Sequence, residues 1–316
     1  MSAGDSDDAA RGARTVEVAA QAKVNLRLCI LARESTGFHQ LETLFLRLEL
    51  ADTVLVRRTS GARTLDVEGL GDLSDIGPPE QNLAWRAAEL YLAATGARGG
   101  FAIEITKRIP IGGGLGGGSA DAGAVLRALD AMSDDPVGSP FLMMLAEQLG
   151  SDVPFLTGEH AYALAWGRGE RMMAVPPPPA RAVLLIVPPF AINTASAYGW
   201  LAEHRERHPA KRGGAVSLDL AALSDWGRLA ALAENDFEGP VAERHPEIDE
   251  YVATLRSLPC EVALLSGSGS TVFGVGSATG GGPELLGLAA VPDSAGEARY
   301  ILTRSAMRVE PLSVIE

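Results

Sequence analysis

The chain has 316 residues, 47% of them hydrophobic and 21% charged, and a formal net charge of −13. The composition is ordinary for a globular protein with a sizeable core, and the length favours two domains. No apolar run approaches the roughly 18 residues of a membrane helix, and the acidic balance argues against a general nucleic-acid binder. Phosphate ligands remain compatible with it, because a few lysines and main-chain amides suffice to bind them.

The first fourteen residues, MSAGDSDDAARGAR, start with acidic residues and contain no apolar core. They lack the pattern of a secretory signal, and we predict a disordered tail over residues 1–14. We expect a cytoplasmic protein. In a reducing cytosol the two cysteines, Cys29 and Cys260, are predicted to be free thiols rather than a disulfide.

Strands and helices mix in the first half of the chain. Alternating and β-branched residues predict strands, and apolar residues at helical spacing predict helices, the first of them ending at Gly96 as its C-cap. A hairpin with Gly167 and Gly169 at its turn follows. The predicted strands cover 15–31, 41–59, 64–69 and 100–109, the helices 81–96, 119–132 and 139–150, and the hairpin 161–175.

A run of four prolines, Pro176–Pro179, is the best domain-boundary signal, because prolines suit stiff linkers and cannot enter a central strand. The order of elements has no regular βαβ rhythm, so we predict an α+β protein with domains at 15–175 and 180–316. Beyond the prolines we predict helical segments, strands at 181–189 and 298–304, a strand–turn–strand at 261–275 and a long connection at 276–294.

The most informative stretch is KRIPIGGGLGGGSADAG, residues 107–123, in which six of the seven residues from Gly112 to Gly118 are glycine. A Walker P-loop needs a lysine before its Ser/Thr, and none stands before Ser119. A dinucleotide fingerprint matches only formally, because the regular βαβ unit it requires is missing. A flexible linker does not fit a strand that leads directly into a helix.

The remaining interpretation is a glycine-rich loop that opens onto a helix N-terminus. Unpaired amides there carry partial positive charge and suit an anion, most often phosphate. Between Pro110 and Ala120, only Ser119 offers a side-chain oxygen to the phosphate or its Mg²⁺; it could equally cap the helix.

These residues resemble the GHMP small-molecule kinases, whose hallmark is Pro-x-x-x-Gly-Leu-Gly-Ser/Gly-Ser/Gly-Ser. Residues 110–119 match it throughout. Further stretches, in the same order along the chain, resemble the members of that family that act on a cytidine-linked substrate. They are AQAKVNLRLCILARESTGFHQLETLF, NLAWRAAELY, LGSDVPF, GRGE and NDFEGPVAERHPEI, with LLSGSGSTVFGV also typical of the superfamily.

The resemblance implies an N-terminal domain like ribosomal protein S5 domain 2, a C-terminal ferredoxin-like domain and an active cleft between them. It implies phosphoryl transfer from ATP to the tertiary 2-hydroxyl of a cytidine-diphosphate-linked methylerythritol, in the non-mevalonate route to isoprenoid precursors. ATP and Mg²⁺ are the expected cofactors. No His/Cys/carboxylate cluster has metal-ligand spacing, so we expect no protein-caged metal, and Mg²⁺ would arrive with ATP.

The resemblance also assigns the catalytic pair. Asp152, in GSDVPF, matches the family's catalytic aspartate, which takes the proton of the substrate hydroxyl. Lys23, in AKVN, matches the catalytic lysine, which keeps that carboxylate ionised and offsets charge on the phosphoryl group. Asn25 matches a polar substrate contact.

The substrate pocket is predicted from GFHQLETLF and INTASAY. In the family pattern Phe38 stacks on the cytosine base and His39 hydrogen-bonds to it. Family members often carry tyrosine in place of Phe38, so the ring is kept here and the hydroxyl is lost. Thr194 and Tyr198 match the opposite wall, with Tyr198 as the second stacking ring.

The nucleotide site is predicted from the glycine loop, with Asn82 and Lys107 nearby. Its predicted ATP and phosphate contacts are Pro110, Gly112, Gly113, Gly114, Leu115, Gly116, Gly117, Gly118, Ser119 and Ala120. The turn Ser266–Ser270, SGSGS, is expected beside the phosphate loop, where small residues keep the cleft open.

Two other functions compete with this one. The first is another GHMP enzyme, such as a homoserine or mevalonate-type kinase or a diphosphomevalonate decarboxylase; a cytidine site of the GFHQLETLF kind has no use there. The second is a non-catalytic nucleotide-binding protein on the same fold, against which the retention of Lys23 and Asp152 argues. We expect a small-molecule substrate, no nucleic-acid or membrane partner, and a monomer or homodimer.

Overall fold

A computed structural model describes residues 15–33, 39–69, 77–208, 219–278, 285, 287 and 297–315. The predicted tail 1–14 and most of the predicted connection 276–294 lie outside this part of the chain. Within it, no helix is both long enough and apolar enough to cross a membrane. The thiols of Cys29 and Cys260 are free.

The strands of the described chain include two very long ones near its start. Those two, β1 and β2, hold 19 and 21 residues. In order, the strands are β1 Thr15–Arg33, β2 His39–Thr59, β3 Arg63–Gly69, β4 Gly100–Lys107, β5 Tyr162–Gly167, β6 Arg171–Ala174, β7 Ala182–Val187, β8 Glu234–Asn235, β9 Cys260–Leu265, β10 Val272–Gly276, β11 Arg299–Arg304 and β12 Ser313–Ile315.

The helices are mostly short, and the longest directly follows the glycine loop. In order they are α1 Leu83–Thr95, α2 Gly117–Ala131, α3 Ser139–Glu147, α4 Val153–Thr157, α5 Thr194–Arg207, α6 Leu220–Leu223, α7 Trp226–Ala230, α8 Glu238–Ala242 and α9 Glu247–Ser257. Gly96 ends α1 in the left-handed conformation, φ 69°, as the sequence predicts.

The described strands form two sheets. The first has the order β12-β1-β2-β4-β3, with β5 and β6 attached to β2 and β8 attached to β1. The second is antiparallel with the order β11-β7-β10-β9. This confirms the mixed α+β fold. The boundary at the proline run stays a proposal, because β8 and β12 follow it in the chain yet pair with β1.

The largest hydrophobic cluster lies between the first sheet and the helices α1, α2 and α3. Val16 and Val18 of β1 face it, together with Leu126 and Leu129 of α2, and all four are fully buried. Burying the apolar stripe of α2 in this way fixes the helix axis. The N-terminal end of α2 is thereby held next to the C-terminal end of β4.

Arg47, on β2, is the largest fully buried side chain among the described residues, with 1% of its surface exposed. Its guanidinium donates to the carbonyl oxygens of His160, Phe155 and Gly158 at 3.1, 2.7 and 2.9 Å. Burial lowers the pKa of Arg47 to about 9. Two of the carbonyls belong to the end of α4, so Arg47 caps the short helix whose N-cap position is Asp152.

We expect Arg47→Met to destabilise the protein by about 2–4 kcal/mol, because it leaves the buried carbonyls of Phe155 and Gly158 without this donor. The midpoint of urea unfolding measures the change. Arg57→Met, an exposed position on the same strand, is the matched control and should shift the midpoint by less than about 0.5 kcal/mol. Equal effects of the two variants would contradict this role for Arg47.

Candidate active site

The glycine loop runs from the end of β4 to the start of α2. Gly112, Gly114 and Gly116 take φ values of 71°, 77° and 74°, which glycine adopts without strain. Gly116 is the N-cap of α2, and the first main-chain amide bonded inside the helix is that of Ala120, which donates to Gly116. The amides of the first turn are therefore free to bind an anion.

The turn Ser266–Thr271, between β9 and β10, supports the loop. Ser266 Oγ donates to the Gly114 carbonyl at 3.0 Å, and the Thr271 amide donates to the Gly113 carbonyl at 3.2 Å. A Cβ on Gly114 would lie 2.2 Å from the Ser266 carbonyl oxygen. The loop shape therefore depends on residues from both halves of the chain.

Lys23, in the middle of β1, is 3% exposed, and its ammonium group lies where several site elements meet. It lies 3.2 Å from Asp152 Oδ2, and it donates to Asn25 Oδ1 at 2.8 Å and to the Gly114 carbonyl at 3.1 Å. A buried cation of this kind stabilises negative charge on a neighbouring carboxylate or phosphate. The predicted catalytic pair is in direct contact.

Irregular pairing of β1 with β2 sets the direction of the Lys23 and Asn25 side chains. The register shifts between Gln21 and Lys23 and again between Asn25 and Arg27, so Lys23 and Asn25 lie between two irregularities. Such bulges re-aim side chains next to active sites. Asn25 is further fixed by its amide, which donates to Thr43 Oγ1 at 2.7 Å.

One cleft of about 510 Å³ gathers most of the predicted site residues. These residues come from β1, the glycine loop, the start of α4 and α5, which are far apart in the chain, so the fold brings them together. The predicted residues that line it are Lys23, Asn25, Asn82, Lys107, Pro110, the loop 112–118, Ser119, Asp152, Thr194 and Tyr198.

Three predicted residues, Ala120, Phe38 and His39, do not line this cleft, each for a different reason. The side chain of Ala120 belongs to the hydrophobic core and its amide is used inside α2, so it offers nothing to the cleft. Phe38 lies outside the described residues. We therefore leave Ala120 out of the site proposed below.

His39 lines an adjacent groove, where its ring stacks on that of Tyr198 with centroids 4.4 Å apart and an interplanar angle of 17°. The sequence predicts that these two residues contact a base, and the structure places them against each other. Burial, followed by the charge of Asp152, raises the pKa of Tyr198. Thr194 Oγ1 lies 3.1 Å from Ser268 Oγ, and both residues line the first cleft.

Lys107 is buried, and its two carboxylate partners are residues that the sequence analysis did not single out. Its ammonium group forms ion pairs with Asp52 and with Asp121, the latter at 2.7 Å. Burial alone would lower the pKa of Lys107, but the two carboxylates outweigh it and raise that pKa. Asp121 Oδ1 has no hydrogen-bond partner within the described chain, and burial raises the pKa of Asp121 to about 7.

We expect Asp121→Asn to become more stable relative to wild type as pH rises from about 4 to 7. Because its pKa is raised, Asp121 binds a proton more readily in the folded protein than in the unfolded chain over that range, so the stability of the wild type falls with rising pH. Asparagine keeps an acceptor for Lys107 and does not titrate. Unfolding midpoints at pH 5 and pH 8 without nucleotide measure the difference, and a difference independent of pH would contradict the shift.

Two protein-family models match this chain, one in each half. The model for the GHMP kinases N terminal domain matches residues 82–159, and the model for the GHMP kinases C terminal domain matches residues 217–307. Together the two matches cover more than half of the chain.

Curated relatives share most of their length with this chain. A 4-diphosphocytidyl-2-C-methyl-D-erythritol kinase of Pelotomaculum thermopropionicum is 40% identical over 258 residues, covering 81% of this chain and 87% of the relative. The kinase of the same name from Thermus thermophilus is 38% identical over 268 residues, covering 82% and 87%.

Solved structures give the same fold. A crystal structure of 4-(cytidine 5'-diphospho)-2C-methyl-D-erythritol kinase superposes with a TM-score of 0.70 at 35% identity, covering 92% of this chain and 98% of that one. A homoserine kinase from Cytophaga hutchinsonii reaches a TM-score of 0.67 at 17% identity, covering 97% and 98%. The second likeness shows the fold alone.

Proposed function

This chain belongs to the 4-diphosphocytidyl-2-C-methyl-D-erythritol kinases, a family of GHMP kinases, and we propose that the cleft described above is its active site. The enzyme transfers a phosphoryl group from ATP to the 2-hydroxyl of 4-diphosphocytidyl-2-C-methyl-D-erythritol. This step belongs to the methylerythritol phosphate route of isoprenoid biosynthesis. The observation that carries the site is the contact of Lys23 with both Asp152 and the glycine loop.

Asp152 is the proposed acceptor of the substrate proton. Its side chain is 29% exposed, so it can reach a ligand in the cleft, and Oδ2 lies 3.2 Å from the Lys23 ammonium group. The substrate hydroxyl gives its proton to the Asp152 carboxylate, and its oxygen attacks the γ-phosphorus of ATP. The bond from that phosphorus to the β,γ-bridging oxygen breaks, and ADP leaves.

Lys23 has a second proposed role, which is to offset charge on the transferring phosphoryl group. Its contact with the Gly114 carbonyl places its ammonium group beside the phosphate loop. Phosphoryl transfer depends mainly on positioning and on neutralising charge, and a preorganised buried cation supplies both. Asn25 accepts from Lys23 and so fixes the position of the ammonium group.

The free amides at the start of α2 are the proposed cradle for the ATP phosphates. Each carries partial positive charge and lies at a helix N-terminus, which favours an anion. Ser119, half-buried in the first turn, is the side chain we propose to contact Mg²⁺ accompanying ATP. When bound, this ion neutralises phosphate charge. Asn82 and Lys107 lie at the nucleotide end of the same cleft.

The proposed cytidine pocket lies at the other end, around His39, Thr194 and Tyr198. The stacked rings of His39 and Tyr198 leave no room for a base between them. We infer that the base stacks on Tyr198 after the His39 ring has moved aside to hydrogen-bond with the base edge. The role of Phe38 as the second ring rests on the sequence resemblance.

The competing functions receive less support. The likeness to homoserine and mevalonate kinases stands at 14–17% identity among the superposed structures and shows only their common fold. A non-catalytic nucleotide binder has no use for a lysine–aspartate pair at the phosphate loop. The division into domains at 15–175 and 180–316, the use of Mg²⁺ and a cytoplasmic location remain parts of this proposal.

Release of ADP tests the function directly. Purified protein is mixed with ATP, Mg²⁺ and 4-diphosphocytidyl-2-C-methyl-D-erythritol, and mevalonate and homoserine serve as control acceptors. We expect turnover with the cytidyl substrate and none above background with the controls. Turnover with a control alcohol instead would keep the fold and overturn the cytidine pocket. Binding of ATP without any turnover would favour the nucleotide-binding protein.

A further inference from the structure

Two of the chain's five histidines meet one carboxylate on the surface, outside the active cleft. His204 lies in the last turn of α5, His208 is its C-cap, and Glu243 is the C-cap of α8. Each of the three residues offers one metal-ligating atom, and these three atoms lie within 4.8 Å of one another. None of these residues has a role in the mechanism above.

The donor set suits a transition metal. Histidines four residues apart lie on one face of a helix, which is the spacing by which helices present two imidazoles to a single ion. The sequence-based expectation that no cluster has metal-ligand spacing misses this pair, because its carboxylate partner Glu243 lies 35 or more residues away in the chain. A carboxylate completes the two-histidine, one-carboxylate set of many zinc sites. Here the carboxylate comes from a second helix, so a bound ion would join α5 to α8.

The distances are close to those of a metal site. His204 Nδ1 lies 2.7 Å from Glu243 Oε1, and His208 Nε2 lies 3.7 Å from the same oxygen. Ligand atoms around a tetrahedral Zn²⁺ are separated by about 3.4 Å, given bonds of about 2.1 Å. Side-chain movements of about 1 Å would bring the three atoms to that spacing. His208 is 60% exposed, so its ring has room to turn.

The surroundings of Glu243 hold its carboxylate in a fixed orientation toward the two histidines. Arg207 pairs with Oε2 of Glu243, which leaves Oε1 directed at the two imidazoles. The C-terminal end of α5 adds partial negative charge from its main-chain carbonyls. Orientation of a ligating carboxylate by a second residue is typical of metal sites.

We propose that His204, His208 and Glu243 bind one divalent transition metal ion of the Zn²⁺ class and that this ion fastens the end of α5 to α8. Because α5 also carries Thr194 and Tyr198, the ion would steady one wall of the cleft without touching the substrate. The alternative is a plain hydrogen-bond and ion-pair contact between the two helices, which binds no metal.

Isothermal titration of Zn²⁺ into untagged protein tests the proposal, since a polyhistidine tag would bind the ion itself. We expect the wild type to bind one ion per chain. The dissociation constant should be at least tenfold larger in His208→Ala and in His204→Ala. His160→Ala, which removes another exposed histidine, is the matched control and should leave the affinity unchanged. Co²⁺ in place of Zn²⁺ should give the visible absorption of a low-coordinate site, which His208→Ala should abolish.

Two results would overturn the proposal. One is the absence of stoichiometric Zn²⁺ binding by folded wild-type protein. The other is equal binding by wild type and the His204→Ala/His208→Ala double variant, with circular dichroism showing that the variant is folded. Mg²⁺ at millimolar concentration should not displace Zn²⁺, because Mg²⁺ prefers oxygen ligands. With Mg²⁺ and ATP present and no Zn²⁺ added, the basal kinase activity of His208→Ala should equal that of the wild type.

Discussion

We expect Asp152→Asn to lower the turnover number for phosphoryl transfer by about a thousandfold or more. Asparagine has nearly the same shape as aspartate but cannot take the proton of the substrate hydroxyl, and general-base catalysis contributes about 10²- to 10⁴-fold in enzymes. Loss of the carboxylate also removes the ion pair that it makes with Lys23 at 3.2 Å. Rates of ADP release at saturating substrates measure the effect.

Ligand binding separates this loss from a loss of structure. Dissociation constants for ATP and for the cytidyl substrate, measured by calorimetry, should change by less than about tenfold in Asp152→Asn, because a base acts mainly in the transition state. Asp134→Asn, at an exposed turn, is the matched control and should keep full activity. A rate within about tenfold of wild type in Asp152→Asn would show that another group takes the proton.

The second large effect is expected from Gly114→Ala, at the centre of the phosphate loop. A Cβ at this position would lie 2.2 Å from the Ser266 carbonyl oxygen and 3.0 Å from that of Gly269, and the φ of 77° is itself unfavourable for alanine. The loop must move to relieve the overlap. Since a displacement of about 1 Å can lower rates about a hundredfold, we expect kcat/KM for ATP to fall by at least that factor.

Gly199→Ala is the matched control for this substitution. It lies in α5, where an added Cβ would meet no atom of the described chain within 4 Å beyond its chain neighbours and the adjacent helix backbone, and alanine favours the helix. We expect its unfolding midpoint to equal or exceed that of wild type and its kcat/KM to be unchanged. Normal ATP kinetics in Gly114→Ala would mean that the loop tolerates a side chain and that its close support by Ser266 is not needed.

Much of the fold follows from local sequence patterns. The alternating pattern of β1 and β2 and the apolar stripe of α2 are clear in the sequence, because each element buries one face against the core. Gly96 ends α1 because glycine adopts the left-handed conformation without strain. The strands β8 and β12 could not be predicted. They hold only two and three residues, so neither shows a period, and both form because β1 offers free edges.

The candidate site likewise contains residues that a local sequence pattern reveals and residues that it does not. The glycine loop is visible in sequence because its composition directly reflects the backbone shape that it needs. The partners of Lys107 are not visible, because Asp52 and Asp121 lie 55 and 14 residues away and reach it only through the register of β2 with β4 and the start of α2. A polar residue inside an apolar strand, as at Asp52 or Arg47, is the one local signal that marks such positions.

The support of the phosphate loop by Ser266 has a consequence for how the enzyme is made. The two bonded residues, Gly114 and Ser266, are 152 positions apart in the chain. At about 5–20 residues per second, a ribosome needs roughly 8–30 s to travel from one to the other. Throughout that interval the emerging polypeptide carries an unsupported glycine loop, so a nascent chain arrested before Ser266 should fail to retain ATP.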